Sequence, residues 1–377
     1  MAKRVAEKAQ KAVDVLAEIA KDAKLARGLR RFDDIEEVPF VPTFCTSYNR
    51  AVEHGGHPLG TITDVHGENQ TGKSVFALLI LMSFKAMGHY AEYQNIERVA
   101  HRKWLLDELK VPQDMGYFEP DNLEHLIDHT QGVIAKVGAL RGKKGTTRVI
   151  TCADTLSECA PRDTVEMILD ADVDKKFPAQ AAMLSLWLKA YVPLIHDELA
   201  TAIFVSQMRA NLHRQGKFDP DSVPAVIRSI QHNASIRVCI RSVASIKMGS
   251  KEDAYEIGTQ HRARVIKNKV GGRRHEFMFF TANGRGDCPA GFDHAREVVA
   301  ECEFRGPPFY EKRGKGNAQV IVSQAFGSEF EGEAAMRQFV RENLDACRKK
   351  LDADVPRFVE SQKGRREEGA DADARDR

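Results

Sequence analysis

Apolar and polar positions follow two periods along this chain. Gly60–His66 alternates residue by residue, which predicts a strand. Val75–Met87 is almost continuously apolar and predicts a buried helix, which Gly88 is placed to end at its C′ position. Further β-rich runs stand at 61–66, 89–95, 147–153, 201–206, 235–241, 262–266 and 275–281, with helical segments between them. This alternation, from about Tyr48 to Asn283, predicts an α/β fold with a doubly wound, mainly parallel sheet. The strand over 89–95 follows the first core helix and is expected beside the strand over 61–66. Near the start, Val5, Ala9, Ala12, Leu16, Ile19, Ala23 and Ala26 recur at steps of four and three, one apolar helical stripe. That stripe fits a helix packed on its own domain and equally one docked on a neighbouring subunit. A C-terminal helix is predicted over about 333–350, and the tail after Lys363 has no apolar period and is expected to be disordered. The expected divisions are 1–47 (helix and linker), 48–290 (core), 291–362 (C-terminal region) and 363–377 (tail).

Composition narrows the class. The chain has 377 residues, 42% hydrophobic and 29% charged, as in ordinary globular proteins. Its net charge of +2 is small, so any nucleic-acid contact must come from local patches. No run approaches the roughly 18 apolar residues of a membrane span. Lys and Glu interrupt residues 3–31, so no secretory signal core is expected. Seven scattered cysteines without a C-x-x-C pair argue for a reducing cytosol and against a zinc site or disulfide framework.

The strongest chemical signal is Gly67-Glu68-Asn69-Gln70-Thr71-Gly72-Lys73-Ser74, a complete G-x-x-x-x-G-K-[ST] phosphate loop between the first strand and its helix. In such a loop backbone N–H groups cradle phosphates, Lys73 reaches the β- and γ-phosphates, and the Ser74 hydroxyl ligates Mg²⁺. Hydrolysis of a γ-phosphate also needs a metal-holding acid, a base for water and further positive charge. Asp154 ends the strand Arg148–Asp154 and suits the metal, although Asp at that position also suits a helix cap. Glu97 lies just past the 89–95 strand, where open α/β sheets place ligands, and suits water activation; the alternative is a surface acid in a charged loop. Trp104 fits a purine face or the apolar side of a helix over Lys103–Leu109. Gln207, at the end of a buried strand, fits a γ-phosphate sensor or a solvated strand end.

Two basic elements remain. Met208–Ser229 carries Arg209, Asn211, His213, Arg214, Gln215, Lys217 and Arg228 with Gly and Pro between them, too long for a plain connection. A polyanion is the ligand that such a loop suits, and an exposed basic loop is the alternative. Lys267 and Lys269 share one face of an extended segment, where two ammoniums can clamp phosphates or simply face solvent.

Taken together, these motifs resemble the RecA-type recombinases of bacteria and their phages, including the UvsX-like group. The resemblance rests on Gly55-Gly-His-Pro-Leu-Gly60, Gly67–Ser74, Glu97, Asp154, Ser206-Gln207-Met-Arg209, Ala234-Ser235-Ile-Arg237 and Arg264-Val-Ile-Lys267-Asn-Lys269, in the family's order, over roughly residues 48–290. It implies a RecA-like P-loop NTPase core with an N-terminal helix docking on the next protomer and a small C-terminal α/β region. It also implies a DNA-dependent ATPase that uses ATP and Mg²⁺, forms a filament of its own copies on single-stranded DNA, and exchanges strands with homologous duplex. By resemblance, Glu97 activates water, Ser74 and Asp154 hold the metal, Trp104 stacks on adenine, and Gln207 couples the γ-phosphate to the following loop. Lys267 and Lys269 act across the subunit interface. Met208–Arg228 is the second DNA-binding loop, Leu169–Lys176 is the first, and Ser185 and Lys189 on a helix over Phe177–His196 contact the DNA backbone. DNA contacts from Met208, Arg209, Asn211, Arg214, Lys217 and Arg228 follow from the same likeness.

The chain departs from the family's pattern in places. The second loop has Pro224-Ala-Val-Ile-Arg228 where a Thr-rich stretch and a Gly-Gly pair are expected, and Val270-Gly-Gly-Arg-Arg follows Lys269 in place of a proline-bearing segment. Two rivals share the motifs: a ring helicase or regulatory ATPase on the same core, and a non-catalytic mediator that helps another recombinase assemble.

Overall fold

The computed structural model describes residues 19, 21, 22, 24, 33, 35–142, 145–169, 180–210, 222–224, 228–250, 253–273, 275–285, 288, 290–314 and 319–375. The chain divides into two compact units, Met1–Val38 and Pro39–Arg377. In the first unit the Asp22 N–H bonds back to the Ile19 carbonyl; the rest of the predicted apolar stripe lies outside the described residues.

The second unit begins with β1 (Phe40–Val41), α1 (Thr46–Ala51) and β2 (His57–Pro58), then enters the main sheet. The sheet and its flanking helices run β3 (Ile62–Gly67), α2 (Lys73–Ala86), β4 (Tyr90–Asn95), β5 (Gly116–Phe118), α3 (Leu123–Arg141), β6 (Val149–Asp154), α4 (Arg162–Leu169), α5 (Gln180–Glu198), β7 (Thr201–Ala210), β8 (Ser222–Pro224), α6 (Arg228–Asn233), β9 (Ile236–Met248), β10 (Tyr255–Asn268), β11 (Glu276–Ala282) and β12 (Gly291–Phe292). Its order is β12-β11-β10-β9-β3-β7-β6-β4-β5, with β8 paired to β7. The six strands from β9 to β5 are parallel, and β10, β11 and β12 continue the sheet antiparallel.

All seven predicted strands form, but one expected neighbour is corrected. β4 does not lie beside β3: β7 and β6 stand between them. The long apolar helix α2 carries the chain across the sheet, and the two later strands fill the gap. Local pattern does not carry this information, because any buried parallel strand suits any interior slot. β9 and β10 also run well past the expected 235–241 and 262–266, as a ribbon beyond the core. Its outer residues, among them Arg241, Ser245 and Lys247, face solvent, so backbone pairing rather than an apolar pattern sustains it.

Both sheet faces are covered. Phe76, Leu78, Ile80, Leu81 and Phe84 of α2 pack with Val65, Ile203, Val238 and Phe277 on one side. Leu123, Leu126, Leu184, Leu188 and Tyr191 pack with Ile62, Ala202 and Phe204 on the other. Each such side chain contributes about 1.5–3 kcal/mol when fully buried. Gly88 has φ +83° and ends α2 as expected.

The C-terminal region packs directly on this core. It comprises α7 (His294–Arg305), a three-stranded antiparallel sheet of β13 (Glu311–Arg313), β14 (Val320–Ser323) and β15 (Ser328–Phe330), then α8 (Gly332–Glu342) and α9 (Leu344–Arg375). The Glu297 carboxylate accepts from the Ser47 N–H at 2.7 Å and the Thr46 hydroxyl at 3.0 Å. Arg50 and Arg305 both donate to Glu301, at 2.7 and 2.8 Å, all three side chains being buried. The single helix expected over 333–350 is two: Asn343 leaves helical geometry at φ −128° and its side chain caps Phe339. The α9 backbone is helical to Arg375, past the start of the tail at residue 363. Ala, Glu and Arg favour helix intrinsically; lack of an apolar stripe argues against burial, not against helix.

Asp352 of α9 yields a stability prediction. Asn49 donates to its carboxylate at 3.0 Å. Burial, with Glu297 adding to it, raises its pKa to about 7, against the opposing charges of Arg305 and Arg348. Between the ordinary carboxylate value and about 7 the folded state therefore holds more protons than the unfolded one, so this group lowers stability as pH rises. Asp352→Asn, which keeps an acceptor for Asn49, is expected to raise the melting temperature at pH 8 and to change it little at pH 4. A thermal scan at the two values checks this; an equal shift at both contradicts it.

Candidate functional site

The phosphate loop is the turn from β3 into α2. Gly72 sits at φ +91° and Gln70 at φ +61°, bending the backbone inward. A Cβ at Gly67 would come within 2.3 Å of the Ile240 carbonyl oxygen, and one at Gly72 within 3.0 Å of the His261 ring, so both positions require glycine. The Thr71 hydroxyl and the Lys73 ammonium both donate to the Glu68 carbonyl, at 2.8 and 2.6 Å. Burial lowers the Lys73 pKa, and the Asp154 and Glu97 charges oppose that shift.

Beneath the loop, Asp64 of β3 is fully buried. It accepts from Arg237 of β9 at 2.7 Å and Ser206 of β7 at 3.0 Å, and pairs with His66 at 3.1 Å. These bonds hold its pKa below the ordinary carboxylate value although burial alone would raise it. They tie three adjacent strands, β7, β3 and β9, to one another below the loop.

Two cavities flank the loop. One, of about 400 Å³, is lined by Gln70–Val75, Trp104, Glu108, Leu109, Thr259, His261, Thr281, Ala282, Asn283 and Gly291. The other, of about 220 Å³, is lined by Ser74, Tyr93, Asn95, Glu97, Val99, Ala100, Trp104 and Asp154. Trp104 stands between them on a π-helical turn, Lys103–Glu108, where an α-helix to Leu109 was expected. It packs on the core and also lines both cavities.

Asp154, at the end of β6, is no helix cap: Thr155 precedes the short 3₁₀ turn Leu156–Glu158. Tyr93 donates to its Oδ2 at 2.7 Å and Thr155 to its Oδ1 at 3.0 Å, and the nearby Ser74 hydroxyl also favours the ionised carboxylate. Burial raises its pKa against these three hydroxyls. Glu97 is not a free surface acid either, because Gln207 of β7 donates to its Oε1 at 2.8 Å. Glu97, Gln207, Asp154, Ser74 and Lys73 thus converge at the carboxyl ends of β4, β7 and β6, the side on which open parallel sheets bind ligands.

Beyond Gln207, β7 continues through Met208 and Arg209, which pair with Pro224 and Val223 of β8. Asn211, Arg214 and Lys217 lie outside the described residues, as do 170–176 of the first proposed loop. Ser185 and Lys189 are on α5, Lys189 exposed. Ser185 donates to Ser229 at 3.0 Å, next to exposed Arg228 at the start of α6, so these positions form one surface.

Lys267 and Lys269 do not reach the phosphate loop of their own chain. Lys267 donates to the carbonyls of Gln231 and His232, at 2.5 and 2.9 Å, and Lys269 to that of His232 at 2.8 Å. Both ammoniums thus sit at the electronegative end of α6. Partial burial and the neighbouring Lys269 charge lower the Lys267 pKa to about 8.

The sequence reading missed Tyr93, Asn95, Thr155 and the Asp64 network. Asn95 carried a usable signal, a polar residue at the end of a strand two positions before Glu97.

Known proteins are similar to this chain in sequence. The RecA N-terminal domain model matches residues 11–285. Protein RecA of Sulfurimonas denitrificans is 26% identical over 269 residues, covering 69% of this chain and 71% of that protein. Protein RecA of Nautilia profundicola is 26% identical over 243 residues, 63% of each chain. The mitochondrial DNA repair protein recA homolog of Dictyostelium discoideum is 26% identical over 250 residues, 65% of this chain and 50% of that one. The matched family region contains the phosphate loop, Glu97, Asp154, Gln207 and the lysine pair, and the chain belongs to the RecA family.

Proposed function

We propose that this chain is an ATP-dependent recombination protein that assembles on single-stranded DNA with ATP between protomers, pairs that strand with homologous duplex and exchanges strands. The observation that carries this reading is the Gln207–Glu97 hydrogen bond beside Lys73. It joins the group suited to activating water to the strand that leads into the basic loop, so one contact relates nucleotide state to DNA grip.

In hydrolysis, the oxygen of a water bonds to the γ-phosphorus as the bond from phosphorus to the β,γ-bridging oxygen breaks. The water's proton passes to the Glu97 carboxylate, giving ADP and inorganic phosphate. Lys73 and the loop N–H groups hold the β- and γ-phosphate oxygens. The donors near them, the Ser74 hydroxyl and the Asp154 carboxylate, are all oxygen and suit Mg²⁺. Bound there, the ion would neutralise charge on the phosphates. Loss of the γ-phosphate frees Gln207 to shift, and β7 passes that shift to the loop after Met208.

Electron microscopy with single-stranded DNA and a slowly hydrolysed ATP analogue tests the reading. Helical filaments are expected with the analogue and few with ADP. Rings or isolated particles under both conditions would overturn it.

A further inference from the structure

One polar atom of the Glu97 cavity is unexplained by the roles above. Asn95 is 1% exposed, and its Oδ1 has no hydrogen-bond partner. A buried acceptor left unpaired loses its hydration without compensation, so its presence asks for a ligand. Asn95 lines the cavity with Ser74, Glu97 and Asp154, and is the register partner of Asp154 across β4 and β6.

The amide cannot turn to hide this oxygen. Its Nδ2 donates to the Tyr117 hydroxyl at 2.7 Å and to Glu119 Oε1 at 3.2 Å, and the Tyr117 hydroxyl in turn donates to Glu119. An ionised carboxylate only accepts. The Tyr117 bond holds the Glu119 pKa below its ordinary value, so Glu119 stays ionised. The chain Asn95 to Tyr117 to Glu119 therefore has one polarity, with N–H groups toward Glu119, which leaves Oδ1 as the unpaired end of a residue that lines the cavity.

We infer that Asn95 Oδ1 is a second acceptor for the water that Glu97 activates. A water has two hydrogens. One donated to Glu97 and one to Asn95 leave its lone pairs to face the γ-phosphorus. Glu97 alone fixes one of the two hydrogens and leaves the water free to rotate about that bond. Glu119 and Tyr117 act through Asn95 and are positioning residues.

This inference rests on the hydrolytic reading, and its test separates the two. Asn95→Ala and Glu119→Gln are compared with wild type and Glu97→Gln for kcat, KM and equilibrium binding of a non-hydrolysable ATP analogue. Asn95→Ala is expected to lower kcat by roughly tenfold to a hundredfold, with analogue affinity and melting temperature near wild type. Glu119→Gln alters an exposed side chain and gives the partner amide a donor, which lets Asn95 turn over; kcat is expected to fall several-fold with affinity kept. Wild-type kcat in either variant, or equal losses in kcat and analogue affinity, would overturn the assignment of Asn95. Absence of turnover in the wild type would overturn the hydrolytic reading, and this inference with it.

Discussion

Glu97→Gln is expected to lower ATP turnover by about 10²–10⁴-fold, the usual contribution of a positioned general base, while nucleotide binding stays close to wild type. Shape and burial barely change in this exchange. Gln207 donates to Oε1 of Glu97, and a glutamine carbonyl at that position accepts the same bond. The link from the nucleotide site to β7 therefore survives while the basic oxygen that takes the proton is gone. Two consequences follow together. Single-turnover hydrolysis becomes slow, and DNA complexes formed with ATP become long-lived, as they would with a slowly hydrolysed analogue in the wild type. Rapid-quench hydrolysis and filament lifetime on single-stranded DNA measure the two. Turnover within threefold of wild type would remove Glu97 from the chemistry. Slow turnover with unchanged filament lifetime would break the proposed link between hydrolysis and release.

How far the site can be read from sequence depends on whether a residue's role is local. The phosphate loop is local: eight consecutive residues supply the turn, the ammonium and the hydroxyl, and the structure keeps them together. Asp154 and Glu97 were also readable, because a strand end followed by an acid is a local pattern. Their meeting with Gln207 was not. It depends on β7 and β6 entering between β3 and β4, a consequence of how α2 crosses the sheet, and no run of residues records that order. The Asp64 network has the same origin, since Arg237 and Ser206 lie more than a hundred residues away in sequence and arrive on neighbouring strands. Tyr93 and Asn95 were hidden differently. In a strand buried on both faces a tyrosine reads as core and an asparagine as a strand end, and only their partners Asp154 and Glu119 show that each has a directed polar task.

Lys267→Ala together with Lys269→Ala is expected to reduce DNA-stimulated hydrolysis by about 10²–10³-fold, as for loss of a transition-state charge donor, and to leave nucleotide binding by the isolated protomer near wild type. In one chain both ammoniums rest on carbonyls of α6, away from the phosphate loop. Carbonyl oxygens are weaker partners for an ammonium than phosphate oxygens are. A neighbour's nucleotide brought to this face can therefore draw both lysines across, and its negative charge opposes the lowered Lys267 pKa. The direction of action is testable by mixing. In a head-to-tail array each site joins Glu97 of one copy to the lysines of the next. Mixing equal amounts of the double alanine protein and Glu97→Gln, each nearly inactive alone, then creates intact sites at about a quarter of the junctions. Recovery of hydrolysis toward that fraction places the lysines in trans. If the lysines serve the site of their own chain, no junction in the mixture is complete and activity stays at the level of the separate variants.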